Sequence, residues 1–135
     1  MKKTTLNKIV FENENELLSV RQIVKTASQN IGFGIVDQTR LVTAVSEITR
    51  NAFENAGKGI LLLEQIEERM KIGLRVVITD RGSGISDIKL AMTDGYTTSR
   101  GMGKGLSGSQ RLVDEFNIQS VVDEGTEVVL IKWLD

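Results

Sequence analysis

The apolar positions of the chain change period along its length, and each change marks an element. Asn7, Ile9 and Phe11 alternate with Leu6, Lys8 and Val10, which predicts a first strand. Asn13 with Glu16 three residues on has the form of a capping box. Leu17, Val20, Val24, Ala27 and Ile31 then recur at spacings of three and four, so a helix is expected there with Gly32 at its end. After Phe33-Gly34-Ile35-Val36, Asp37 is placed to cap a second helix with the stripe Leu41, Ala44, Val45, Ile48, Ala52 and Ala56, closed by Gly57. Period two then returns. Lys58 to Ile66 reads as a strand, Glu67, Glu68 and Arg69 as a charged turn, and Ile72, Leu74, Val76 and Ile78 as the clearest strand of the chain.

Beyond Gly84 the pattern weakens. Ser86 is placed to cap a short helix carrying Ile88, Ala91 and Met92, and Thr93 to Lys104 has no period at all, which reads as a mobile loop. Leu106, Leu112, Val113 and Phe116 mark a further helix, and two last strands, about residues 117–122 and 126–133, flank the turn Asp123-Glu124-Gly125. Helices and about five strands in this order predict an α/β fold, a two-layer sandwich with helices packed on one face of a mixed, largely antiparallel sheet, residues 1–135 forming one domain.

Composition narrows the chemistry. The 135 residues are 40 % hydrophobic and 26 % charged with a net charge of −1, so no basic footprint points to nucleic acid or to a membrane surface, and a partner is expected to be a protein. Cysteine is absent, which removes disulfides and thiolate chemistry and fits a cytoplasmic protein. Histidine is absent too, which excludes histidine metal sites, serine–histidine triads and a phosphohistidine within this chain. The first residues do not form a signal peptide, and the longest aliphatic run, Ile60 to Leu63, is too short to span a bilayer.

Three groups carry candidate chemistry. Asp80 ends a strand and is followed by Gly82 and Gly84; such a carboxylate accepts the exocyclic amino proton of adenine and disfavours the carbonyl that guanine presents there, while the glycines let backbone approach a flat base. The alternative is an ordinary strand-ending Asp-Gly turn. The second group, Gly101, Gly103, Lys104, Gly105, Leu106 and Gly108, contains a literal dinucleotide fingerprint but does not follow directly on a strand. It also lacks the Ser or Thr and the first glycine of a Walker loop. What such glycines offer is inward N–H groups and a helix start for a triphosphate, with Lys104 as a point charge or a merely solvated lysine. Third, Glu47 and Asn51 are four apart on one face of the second helix. Taken alone they read as surface residues; taken with the glycines, Asn51 offers a neutral oxygen to Mg²⁺ and Glu47 a carboxylate able to take a proton from a hydroxyl.

Glu47 and Asn51, then Asp80-x-Gly82-x-Gly84, then Gly101-x-Gly103-x-Gly105-Leu106, resemble the N, G1 and G2 boxes of the GHKL ATPase superfamily, with Thr126 at the family's later threonine. The resemblance covers nearly the whole chain and lies with the bacterial serine/threonine kinases that regulate sigma factors, the stressosome switch kinases among them. It rests further on Gly32-Phe33-Gly34, Asp94-Gly95-Tyr96-Thr97-Thr98-Ser99 and Arg111-Leu112-Val113-Asp114-Glu115-Phe116. It implies a Bergerat fold, ATP with Mg²⁺, Asp80 on adenine, Asn51 on the metal and Glu47 as general base. It also implies STAS-domain substrates and release to a PP2C-type phosphatase. Two other readings stay open: a kinase that binds a sigma factor directly, and an ATP-gated binding module that transfers nothing.

Overall fold

The computed structural model describes residues 1–82, 84 and 105–135. The Ser86-capped helix and the loop from Thr93 to Lys104 lie outside the described residues. Strand β1 (Lys2–Phe11) leads into helix α1 (Glu14–Ile31), α2 (Ile35–Ala56), the hairpin of β2 (Gly59–Glu68) and β3 (Lys71–Asp80), α3 (Gly105–Gln110), and a second hairpin of β4 (Glu115–Val121) and β5 (Gly125–Trp133).

Local chemistry explains the first helix as expected. Asn13 accepts the N–H of Glu16 at 3.0 Å, and Glu16 reaches back to the N–H of Glu12 at 3.0 Å, one residue further upstream than a standard capping box. Gly32, at φ 107, closes α1 by donating to the carbonyls of Gln29 and Ser28. The second helix departs from expectation at its start. Gly34 is the cap residue and Asp37 lies inside the first turn, where its carboxylate is drawn to Arg40 at 3.6 Å and to the Lys132 ammonium at 3.5 Å. Lys132 is almost fully buried and also faces Asp114 at 3.8 Å, so an ion cluster ties the start of α2 to β5 and to the lead into β4.

The sheet runs in the order β1-β2-β3-β5-β4, and among the described residues every pairing is antiparallel, where a mixed sheet is expected from the sequence. β1 and β4 form its margins, and the register of β1 slips between Thr5 and Asn7. Alternation places Leu61 and Leu63 of β2, Leu74, Val76 and Ile78 of β3, and Val128 and Leu130 of β5 on one face, where they meet Leu17, Val20 and Val24 of α1 and Leu41, Ala44, Val45, Ile48 and Ala52 of α2. The opposite face carries a directly opposed pair, Arg75 donating to Glu64 at 2.6 Å. The β2–β3 turn consists of Arg69 and Met70, both with positive φ (51 and 70).

One expected helix is shorter than its sequence pattern. α3 stops at Gln110, Leu112 and Val113 lie in the following turn, and Phe116 belongs to β4. The spacing of Leu112 and Phe116 mimics one helical turn, but Phe116, Ile118 and Ser120 keep a period of two against β5, and the ladder prevails.

Candidate active site

The site is built from the end of the sheet upward. The inner-face rows Phe116–Leu130–Val76 and Ile118–Val128–Ile78 are apolar, and the next row, Ser120–Thr126–Asp80, is entirely polar. The polar row lies beyond the core, at the end of β3 where the chain leaves the sheet.

Asp80 is half-buried, and its Oδ1 accepts the N–H of Gly82 at 2.9 Å. Burial pushes its carboxyl above the usual aspartate range, and the backbone N–H groups of Gly82 and Thr126 offset only part of that. No ion pair joins Asp80 to a cation among the described residues. A desolvated acceptor without a counter-charge suits a neutral donor such as an exocyclic amino group.

The glycines around this turn are packed tightly against protein. A Cβ on Gly82 would stand 3.1 Å from the Ala56 methyl and from the Asn55 carbonyl oxygen, so this turn is pressed on the last turn of α2. A Cβ on Gly84, at φ +77, would overlap the Val121 carbonyl oxygen at the far side of the β4–β5 hairpin. Gly125, at φ +130, faces the backbone of Asp80 and Arg81 so closely that a Cβ would overlap the Asp80 carbonyl oxygen. The expectation that Gly82 and Gly84 serve approach to a flat base thus meets a prior steric cause: the Asp80 turn is wedged between α2 and the second hairpin.

Glu47 and Asn51 project from α2 beside the buried positions Ile48 and Ala52, both half-buried, and neither side chain takes a hydrogen bond or ion pair from the described residues. They lie on the helix whose C-terminal turn, at Asn55 and Ala56, packs on Gly82, so the first and third sequence groups sit on elements in contact. Gly105 opens α3, and Leu106, 8 % exposed, anchors that helix in the core, while Ser109 donates to the Ala44 carbonyl of α2 at 3.4 Å. Gly101, Gly103 and Lys104 lie outside the described residues. A cavity of about 380 Å³ also touches Asp80, but Ile60 and Thr79 line it from the other sheet face, and neither Glu47 nor Asn51 takes part.

Two residues of this site escape a reading of the sequence alone. Ser120 contacts the Thr126 hydroxyl at 2.8 Å and donates to the Gly125 carbonyl at 3.1 Å. The signal for it exists, since Ser120 keeps the inward parity of Phe116 and Ile118, six residues ahead of Thr126 across a tight turn. Gly125 is legible only as a turn residue.

A half-buried acceptor at Asp80, with Thr126 beside it in the same row, is compatible with the base of a nucleotide. Among the described residues no group of three or more His, Cys, Asp or Glu gathers, so the protein offers no cage for a metal there, only the Asn51 amide oxygen to an ion that brings its own phosphate ligands. No helix among the described residues is long and apolar enough to cross a membrane.

Comparison with known proteins bears on the family and the fold. The model of the family described as histidine kinase-, DNA gyrase B- and HSP90-like ATPase matches residues 36–135. The serine/threonine-protein kinase RsbT of Bacillus subtilis is 47 % identical over 121 residues, covering 90 % of this chain and 91 % of its own. An anti-sigma F factor of Anoxybacillus flavithermus is 36 % identical over 103 residues, covering 71 % of this chain and 69 % of its own. Among solved structures, the mycobacterial sensor histidine kinase MprB superposes with a TM-score of 0.59 at 16 % identity, over 94 % of this chain and 96 % of that one. The RsbU and RsbW domains of a Mycobacterium tuberculosis protein superpose with a TM-score of 0.61 at 20 % identity, over 93 % of this chain and 32 % of that one. These last two show a shared fold. With a family match over most of its length and a 47 % identical kinase relative, the chain belongs to the histidine kinase-, DNA gyrase B- and HSP90-like ATPases, the GHKL superfamily.

Proposed function

We propose that this RsbT-like serine/threonine kinase uses ATP with Mg²⁺ to phosphorylate a serine or threonine of STAS-domain scaffold and antagonist proteins in a cytoplasmic stress-response module, and then engages a downstream effector such as a PP2C-type phosphatase. The observation that carries the reading is the pairing of Glu47 and Asn51, unengaged by the described residues, on the same helix that packs against the Asp80 turn. Histidine is absent from the chain, which excludes a phosphohistidine relay within it, and on this reading the phosphoryl group passes directly to a hydroxyl of the partner.

Asp80 accepts from the adenine amino group, with Thr126 beside it in the same row. Asn51 would hold Mg²⁺ through its amide oxygen, and when bound the ion offsets charge on the phosphate oxygens. Glu47 takes the proton of the attacking hydroxyl as its oxygen bonds to the γ-phosphorus and the bond to the β,γ-bridging oxygen breaks, leaving ADP. Catalysis of this kind is mostly positioning, and the rate depends on how the docked partner presents its hydroxyl to Glu47.

The test is phosphotransfer from γ-labelled ATP with Mg²⁺ into a native lysate, wild type against Glu47→Ala, with labelled proteins identified by mass spectrometry. Label on a serine or threonine of a small STAS-domain protein, lost in the variant, is the expected result. ATP binding without any label would overturn the reading in favour of a nucleotide-gated binding module. The 36 % identity to an anti-sigma F factor supports a second reading, direct binding of a sigma factor, and co-purification of a sigma subunit with the chain would favour it.

A further inference from the structure

We propose that the cavity at the open end of the β2–β3 hairpin, lined by Lys58 and Arg81, docks an acidic segment of a protein partner. The proposal goes beyond the nucleotide reading and stands without it. Two arginines on the outer face of β3 are treated differently by the strand beside them. Arg75 stands opposite Glu64 of β2 and donates to it at 2.6 Å, so its charge is matched. The same register ends at Ile60 opposite Thr79, and two residues further on it brings Lys58 level with Arg81. Both residues line one cavity of about 380 Å³. Like charges set across a pair of strands destabilise it.

Nothing among the described residues relieves that repulsion. Lys58 and Arg81 are exposed, and neither forms an ion pair. Glu127, which the ladder places opposite Thr79 on this face, reaches neither of them, and the carboxylate of Asp80, a residue the cavity also touches, has no cation partner. Beside the two cations the cavity has an apolar floor of Ala56 and Ile60. Ile60 is 37 % exposed and continues across the β1 ladder into Val10, 43 % exposed. An occupant that fits must bring negative charge and an apolar group side by side. An acidic side chain next to an aliphatic one does so: the carboxylate offsets the repulsion between Lys58 and Arg81, and the aliphatic chain covers Ile60 and Val10. A neutral segment leaves the repulsion in place, and a basic one adds to it. Glu47 and Asn51 lie on the helix-covered side of the sheet, so this cavity can be filled while the inner face is occupied.

The experiment titrates the isotope-labelled full chain with the peptide acetyl-Leu-Glu-Asp-Leu-amide and with its uncharged counterpart acetyl-Leu-Gln-Asn-Leu-amide, following backbone amide signals by NMR at low salt. The acidic peptide should give saturating shifts centred on residues 58–60 and 79–81, and the uncharged one should not. Lys58→Gln and Arg81→Gln should each weaken binding by about two- to fivefold, the worth of one exposed ion pair, and the loss should shrink as salt is raised. Lys71→Gln, the same charge change at the far end of the hairpin, should leave binding unchanged. Lys58→Glu turns a like-charge pair into an opposite one, so it should raise the melting temperature of the free chain at low salt while abolishing peptide binding; a general loss of fold would lower both. Equal binding of the two peptides, equal weakening by Lys71→Gln, or no binding of the acidic peptide at millimolar concentration would each overturn the proposal.

Discussion

Three glycines with positive φ form a graded test of how tightly the candidate site is built. Gly57, at φ +74, has open space within 4 Å of the position a Cβ would take, so Gly57→Ala isolates the left-handed backbone cost. That cost is about 1–2 kcal/mol for an L-residue, offset by ~0.4–1 kcal/mol from a stiffer unfolded chain, so a net loss of about 1 kcal/mol is expected. Gly84, at nearly the same φ, adds an overlap with the Val121 carbonyl oxygen and should lose more. Gly125, at φ +130, lies in a region almost reserved for glycine, at about 1–3 kcal/mol. Its Cβ would also overlap the Asp80 carbonyl and sit 2.8 Å from the Arg81 α-carbon, which only a retreat of β5 from β3 relieves. Breaking one ladder hydrogen bond there adds about 1 kcal/mol, so Gly125→Ala should lose at least about 3 kcal/mol, a large share of the ~5–15 kcal/mol typical of a native domain. At roughly 3 °C per kcal/mol for a chain of this length, the melts should fall by about 3 °C for Gly57→Ala and about 10 °C for Gly125→Ala. Urea unfolding followed by the single tryptophan, Trp133, gives the free energies directly. Equal losses in Gly57→Ala and Gly125→Ala would refute the close approach of the β4–β5 turn to the Asp80 backbone.

Asp80→Asn should weaken ATP binding by about 10- to 150-fold, the worth of a charge-assisted hydrogen bond, measured by titration calorimetry. The same substitution should stabilise the nucleotide-free chain at neutral pH. Burial raises the Asp80 carboxyl, so the folded state holds that proton more tightly than the unfolded chain. Stability is therefore lost as pH rises from the ordinary aspartate range through the raised value, and a melt series across that window should be flatter in the variant. Because ATP needs the ionised form, wild-type affinity should begin to fall, on acidification, at a higher pH than for an ordinary aspartate. Glu47→Gln should lower phosphotransfer by about 10²- to 10⁴-fold with ATP affinity unchanged, by single-turnover assay; an equal loss of affinity would mean that Glu47 binds nucleotide instead. Lys132→Met should destabilise the chain by up to about 3 kcal/mol in urea, since it strands Asp37 and Asp114 beside a buried site while Arg40 still compensates Asp37.

Much of the architecture is legible in local pattern because local chemistry decides it. The Asn13 cap, the αL glycines after α1 and α2, and the period-two run of β3 each depend on neighbours within a few residues. The misreadings come from tertiary competition. Asp37 has the chemistry of a cap but serves Lys132, a partner on the last strand that no local pattern announces. The helix read through Phe116 fails because pairing with β5 outweighs one helix-like spacing. The first strand begins at Lys2 although its first four residues lack alternation, because the ladder with β2, including the ion pair of Lys2 with Glu67, holds them. At the site, Glu47, Asn51 and Asp80 are readable as residue types in order, whereas Ser120 becomes visible only when two strands are set in register.

The slip in the register of β1 also bears on what the chain does in company. β1 is a ten-residue margin whose outward backbone N–H and carbonyl groups have no partner strand among the described residues, the usual opening for a foreign strand to attach and start a growing stack. The break between Thr5 and Asn7 interrupts the regular spacing that such an attachment copies, and Lys3 and Lys8 set positive charge along the same strand, Lys2 being paired with Glu67. A second copy of β1 approaching edge to edge would meet like charge and a broken template together. The irregularity thus makes this margin a poorer template for strand addition than a regular edge of the same length.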